Sequence, residues 1–238
     1  MPGSPTPLAT SRALKSNIPQ PLTIEVAKSG PVSALLLRPD NPRACFVFAH
    51  GAGAGMTHSF MEAFAQGLCE RATASLRYQF PYMEKGGKRP DAPAVAQSAV
   101  RAAVEKARQM FPGLRLIAGG KSFGGRMTSQ AQAAAPLEGV RGLAFVGFPL
   151  HPAGKPATDR ADHLVHIDIP MLFLQGTRDG LAEVALIEPV AQGLGRRATL
   201  HFVDGADHSF HVLARSGRND REVLGEILDT FSNWVDTI

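Results

Sequence analysis

Cysteine is scarce in this chain: two among 238 residues, Cys45 and Cys69. They fall in separate apolar segments, an expected strand and an expected helix. Two reduced, buried thiols fit that placement better than a disulfide framework, which points to a cytoplasmic protein. Long apolar runs are missing too. Nothing approaches the ~18 uninterrupted apolar residues of a membrane span, so a transmembrane helix is not expected. The opening Met1-Pro2-Gly3-Ser4-Pro5-Thr6-Pro7 has no basic stretch followed by an apolar core, which argues against a secretory signal. Charge of one sign is also lacking in any block. The net charge is only +4, and the basic groups (Lys85, Lys88 and Arg89; Arg196 and Arg197; Arg215 and Arg218) are dispersed without interleaved aromatics. That excludes the usual footprint of a nucleic-acid binder.

What is present is a sizeable apolar content, 44%, with 24 glycines. Residues 1–20 are proline-rich and read as a flexible or strapped-down arm, leaving 21–238 as one domain without internal repeats. Within it, strand-like and helix-like segments alternate. Expected strands are Leu22–Val26 and Val32–Arg38 as a hairpin, then Ala44–Ala49, Thr73–Tyr78, Leu114–Ala118, Val140–Phe148, Pro170–Gln175 and Ala198–Val203. A helix is expected from Ser59, where Ser59-Phe60-Met61-Glu62 matches a capping box, with Phe60, Phe64 and Leu68 on one face. A polar loop follows over 79–93. Further helices are expected over Val95–Phe111, from Arg126 to a stop at Pro136, over Leu181–Leu194 with a break near Pro189, and over Asn219–Ile238. This alternation predicts an α/β fold with a mostly parallel, doubly wound sheet covered by helices on both faces. Pro149–Ile169 is too short for a large cap.

The organising stretch is Leu114 to Met127. An apolar strand runs into Gly119-Gly120-Lys121-Ser122-Phe123-Gly124-Gly125, and a helix pattern follows. Gly-x-Ser-x-Gly between strand and helix is the spacing of a nucleophile elbow, in which small residues flank the serine because strand and helix backbones nearly touch. A phosphate loop would need a glycine where Arg115 stands, and that reading fails. A dinucleotide fingerprint in His50-Gly51-Ala52-Gly53-Ala54-Gly55 fails likewise, because the third glycine is replaced by Met56 or His58.

A nucleophilic serine requires a base, an acid that orients the base, and an oxyanion hole, all at the carboxyl ends of parallel strands. His208 follows the last strand and is the base candidate. His58, His163, His166, His201 and His211 read as structural or surface residues. Asp179, just beyond the preceding strand, is the candidate acid. Asp207 is the alternative, although as the direct neighbour of His208 it is badly placed to reach Nδ1. The oxyanion donors are expected to be the N–H groups of Phe123 and of Ala52, with Gly53 next. His50, His151 and Tyr82 are candidate substrate contacts. Arg77, Arg126 and the Phe80-Pro81-Tyr82 turn read as architectural.

Taken together, His50-Gly51-Ala52-Gly53, Arg77-Tyr78-Gln79-Phe80-Pro81-Tyr82, Gly120-Lys121-Ser122-Phe123-Gly124-Gly125-Arg126, Gln175-Gly176-Thr177-Arg178-Asp179 and Ala206-Asp207-His208-Ser209-Phe210 resemble the α/β-hydrolase superfamily. The likeness is to its small, dienelactone-hydrolase-like branch with little or no cap, and it covers the chain from about Leu22. The resemblance implies a triad of Ser122, Asp179 and His208. It does not carry over the dienelactone substrate, because those enzymes use cysteine where this chain has Ser122. The expected activity is a carboxylesterase or thioesterase acting on small acyl esters, with no metal or organic cofactor. Alternatives are a peptidase, acyltransferase or lyase on the same triad, or a non-catalytic interaction module that has kept the fold. Oligomeric state is not legible.

Overall fold

The computed structural model describes residues 18–238. The expected N-terminal arm, residues 1–20, lies outside them except for its last three positions, and Gln20 already opens the first strand. Eight strands form one sheet in the order β1-β2-β4-β3-β5-β6-β7-β8. β1 (Gln20–Val26) and β2 (Gly30–Leu37) make an antiparallel hairpin on one edge. β2 then pairs antiparallel with β4 (Thr73–Tyr78). From there the sheet is parallel: β3 (Ala44–Ala49), β5 (Arg115–Lys121), β6 (Val140–Val146), β7 (Met171–Gly176) and β8 (Ala198–Val203).

β3, β4 and β7 are buried along their whole length, so the period-two rule sends alternate residues into two separate cores. On β3, Ala44, Phe46 and Phe48 face α1 (Ser59–Glu70) and α6 (Asp220–Thr237). Cys45, Val47 and Ala49 face the other core, with α3 (Pro93–Met110), α4 (Phe123–Ala134) and α5 (Val184–Gly193). Aromatics hold the first core: the Phe46 ring lies 4.8 Å from Phe48 and 4.9 Å from Phe231, and Phe48 lies 5.1 Å from Phe64. Removing one such ring from a close-packed interior typically costs 3–5 kcal/mol, or roughly the whole margin of a modest domain. Both cysteines are buried without a disulfide, and burial pushes the Cys45 thiol up to about 12.

Several local expectations differ from the structure. The first helix is capped not by Ser59 but by His58, whose extended backbone (ψ 140°) lets Nδ1 accept from the Phe60 N–H at 3.2 Å. The 79–93 stretch is not all loop: α2 (Pro81–Glu84) starts on Pro81, whose fixed φ suits a first helical position. α5 is not broken at Pro189 but runs through it. Pro189 and Ala185, the residue four earlier, are both on the solvent side, so the bond that proline cannot make is lost at the exposed face of the helix rather than in the core. β6 stops at Val146 because Gly147 turns out at φ 73°.

The site is placed by one crossing. A single residue, Ser122, separates β5 from α4, at φ 49° and ψ −115°. The helix can leave the strand that sharply only if its first turn lies against the end of β3. A Cβ on Gly124 would stand 2.6 Å from the carbonyl oxygens of both Ala49 and His50, and one on Gly120 would stand 2.4 Å from that of Ala49. No side chain can move aside, because the obstacle is backbone. Gly124→Ala is therefore expected to destabilise the fold by about 3 kcal/mol, read as a lowered urea midpoint at unchanged slope. Gly180→Ala, where nothing lies within 4 Å, is expected to be neutral.

Candidate active site

The elbow lifts Ser122 above the carboxyl edge of the sheet, and the loops after β7 and β8 bring two further side chains to it. Ser122 Oγ lies 2.8 Å from His208 Nε2, and His208 Nδ1 lies 2.7 Å from Asp179 Oδ2. The carboxylate accepts the Nδ1–H and so fixes the tautomer that leaves Nε2 free to take the serine proton. Asp179 is buried and held by two more donors, Gln175 Nε2 at 2.5 Å and the Leu181 N–H at 2.8 Å. Gln175 is itself fixed by the Phe148 N–H, 2.9 Å from its Oε1. Asp207, the alternative acid, has other work: its Oδ1 accepts the N–H groups of Ser209 (2.8 Å) and His211 (3.0 Å), closing the loop that presents His208.

Ser122 and His208 open into a cavity of about 360 Å³, also lined by Ala52, Phe60, Lys121 and Leu181. The expected oxyanion donors divide. Among the described residues the N–H groups of Phe123 and Ala52 have no partner. The Gly53 N–H is occupied, donating to Tyr82 Oη at 3.2 Å. His50 does not face the cavity. It is fully buried, its Nδ1–H donating to the Gly51 carbonyl at 2.8 Å and its Nε2 accepting the Phe80 N–H at 3.1 Å. In a trans peptide the C=O and N–H point opposite ways, so fixing the Gly51 carbonyl also directs the Ala52 N–H. Arg77 and Gln79 complete the brace: Arg77 Nη1 donates to the Met56 carbonyl at 2.9 Å, and Gln79 Oε1 accepts the Met56 N–H at 2.8 Å.

The other two residues expected to touch substrate are also directed elsewhere. Tyr82 steadies Gly53, and His151 lies between the Pro152 carbonyl (2.9 Å) and Glu183 (2.5 Å). Conversely, Lys121, Gln175 and Leu181 reach the site although the sequence reading assigns their side chains no role. Gln175 had a signal, being the one polar side chain in the otherwise apolar run Met171–Gly176. A larger hollow of about 580 Å³, lined by Arg43, Arg108, Arg115 and Arg141, lies at the opposite, amino edge of the strands. Three of those guanidiniums are occupied, by Asp236, by Glu105 and by the Val235 carbonyl. Among the described residues no group of three or more His, Cys, Asp or Glu is placed to hold a metal ion, and no helix is long and apolar enough to cross a membrane.

Residues 42–236 match the family model described as an alpha/beta hydrolase domain, and the chain belongs to that family. Solved structures agree in fold. A lidless α/β serine hydrolase from Xanthomonas campestris is 21% identical, covers 91% of this chain and 94% of its own, and superimposes with a TM-score of 0.72. A dienelactone hydrolase from Anabaena variabilis is 20% identical over 91% of this chain and 96% of its own, at 0.71. An esterase domain of a Rhodothermus marinus protein is 15% identical over 91% and 97%, at 0.68. The minimal cap expected from the shortness of Pro149–Ile169 agrees with this lidless architecture.

Burial sets the acid response. It pushes His50 down to about 4, and it does the same to His163, which packs on Ser129 of α4 with Nε2 2.7 Å from Oγ. Between the ordinary value of 6.5 and about 4, the unfolded chain takes up protons that the folded chain refuses. Stability therefore falls as pH drops through that window. The thermal midpoint is expected to decline from neutral pH to about 4.5, and His163→Gln, which keeps a donor to Ser129, is expected to shrink that decline.

Proposed function

We propose that the chain is a serine hydrolase of carboxylesterase or thioesterase type, cleaving small acyl esters through an acyl-enzyme on Ser122. The observation that carries this reading is the unbroken relay Ser122–His208–Asp179 at 2.8 and 2.7 Å, with the Phe123 and Ala52 N–H groups in the adjoining turns left without a partner among the described residues. In the reaction, Ser122 Oγ attacks the acyl carbon while its proton passes to His208 Nε2. Asp179 stabilises the imidazolium without taking the proton. The developing oxyanion is met by the Phe123 and Ala52 N–H groups, each of which would contribute about 3 kcal/mol of transition-state stabilisation. His208 then protonates the departing alkoxide or thiolate. Water, deprotonated by the same imidazole, attacks the acyl-enzyme and regenerates Ser122.

A cavity of about 360 Å³ without a lid favours short or accessible acyl groups. The neighbouring esterase domain and lidless serine hydrolase lend this reading support through the fold they share. p-Nitrophenyl acetate and butyrate are expected to turn over faster than the laurate ester. Ser122→Ala is expected to lower kcat by about 10⁴-fold or more. Asp179→Asn, which removes the acceptor that sets the imidazole tautomer, is expected to cost about 10⁴-fold. Wild-type protein inert to the whole series would overturn the proposal.

A further inference from the structure

We propose that Lys121 is a positioning residue that ties the catalytic base to the nucleophile's own strand. The proposal rests on the serine-hydrolase reading and concerns a side chain that the proton relay does not use. Lys121 is the last residue of β5 and immediately precedes Ser122. Its Nζ reaches across to the loop after β8 and donates to the His208 carbonyl at 2.5 Å. One side chain thus joins the two elements whose separation sets the Oγ–Nε2 distance.

The surroundings are built around that ammonium. It sits 5.4 Å from the centre of the Phe210 ring and 6.0 Å from that of Phe60, and the two rings stack 5.9 Å apart. These are cation–π distances. Phe210 holds φ 63°, a left-handed conformation that a bulky residue keeps only where its surroundings over-determine it. Here they do: Phe60 stacks on the ring, Lys121 lies over it, and the Phe210 N–H donates to the Asp207 carbonyl at 2.9 Å. Gly147 supplies the room. A Cβ there would lie 3.0 Å from Lys121 Nζ and 3.4 Å from His208 Cε1.

The ionisable groups around the ammonium are Asp179 after β7, Asp207 and His208 after β8, and His58, which lines the same cavity from the start of α1. Burial pushes the amine down to about 8, against the pull of Asp179 and Asp207. A lysine serving only solubility would not be kept where its charge is disfavoured. Nor is it placed as a rival general base, since Ser122 Oγ is already paired with Nε2 and Nζ points at the His208 carbonyl. What the geometry offers is a cation that holds the histidine loop in register at some loss of stability.

The test is Lys121→Met, which keeps the stem and removes the charge, assayed with p-nitrophenyl acetate. We expect kcat to fall roughly 10- to 100-fold, as a sub-ångström loosening of reacting groups does, with KM within about threefold. The thermal midpoint at neutral pH is expected to stay level or rise, because a buried ammonium is gone. Lys121→Arg is expected to restore most of kcat. Wild type is expected to lose part of kcat/KM above about pH 8 as the ammonium titrates, and the arginine variant is not. Unchanged kcat in the methionine variant would overturn the proposal, as would a kcat loss matched by a lowered thermal midpoint. Should the methionine variant not fold, an alkaline decline that persists unaltered in Lys121→Arg would overturn it. Wild type that turns over no ester removes the serine-hydrolase reading and this proposal with it. Active wild type beside an indifferent Lys121→Met removes this proposal alone.

Discussion

Everything at the site depends on how closely α4 can approach the end of β3. A Cβ on Gly120 would lie 2.4 Å from the Ala49 carbonyl oxygen and one on Gly124 2.6 Å from those of Ala49 and His50, so the turn exists only with hydrogen at those positions. Given that contact, the chain must reverse within one residue, and Ser122 is forced to φ 49° with its hydroxyl directed off the sheet edge. The same contact puts the loop after β3, with the Ala52 N–H, beside the N-terminus of α4, with the Phe123 N–H. On the proposed reading, nucleophile and oxyanion donors thus come from one packing constraint. Helix and strand here approach as closely as backbone atoms allow, which also explains why the serine is held rigidly enough to meet an imidazole at 2.8 Å.

A second layer of hydrogen bonds makes the site specific in geometry. Each acting group is held by a residue with no part in the chemistry: Asp179 by Gln175 and Leu181, the His208 loop by Asp207, and the oxyanion loop by His50, Tyr82, Gln79 and Arg77. Most of these partners are buried, where a satisfied polar group is stiff and an unsatisfied one costs on the order of 1–3 kcal/mol. The arrangement resists small displacements for that reason. His50 illustrates the economy of it, since both ring nitrogens are engaged and burial keeps the ring neutral, pushed down to about 4.

Much of this was legible in the amino-acid order because a parallel sheet converts sequence into position. A polar residue just past an apolar strand arrives at the carboxyl edge, which is why the amino-acid order alone puts Ser122, Asp179 and His208 in one cluster. The strand count, the mostly parallel sheet and the helices on both faces followed from periodicity in the same way. What periodicity does not carry is the lateral direction of loop side chains. His50 and Tyr82 belong to the right loops, but His50 turns to the backbone of Gly51 and Phe80, Tyr82 to that of Gly53, and His151 to Glu183. Lys121 stands in the elbow motif without a side-chain role that the motif itself requires. Its reach to His208 depends on a gap at Gly147 that no local pattern reveals. Two helix details differ for smaller reasons: α1 starts at Ser59 as expected but is capped by a nitrogen of His58, and α5 runs through Pro189 because the missing N–H falls on its solvent side.

The central claim is that Ser122 is a nucleophile activated by His208. The most direct measurement is mass mapping of the peptides from protein treated with a fluorophosphonate, at neutral pH and again in acid. The account predicts a single phosphonyl adduct on the tryptic peptide beginning at Ser122, formed quickly at neutral pH and slowly in acid. It is expected to be absent from a His208→Ala variant that folds normally. An unmodified Ser122, or an adduct that forms equally well without His208, would contradict it.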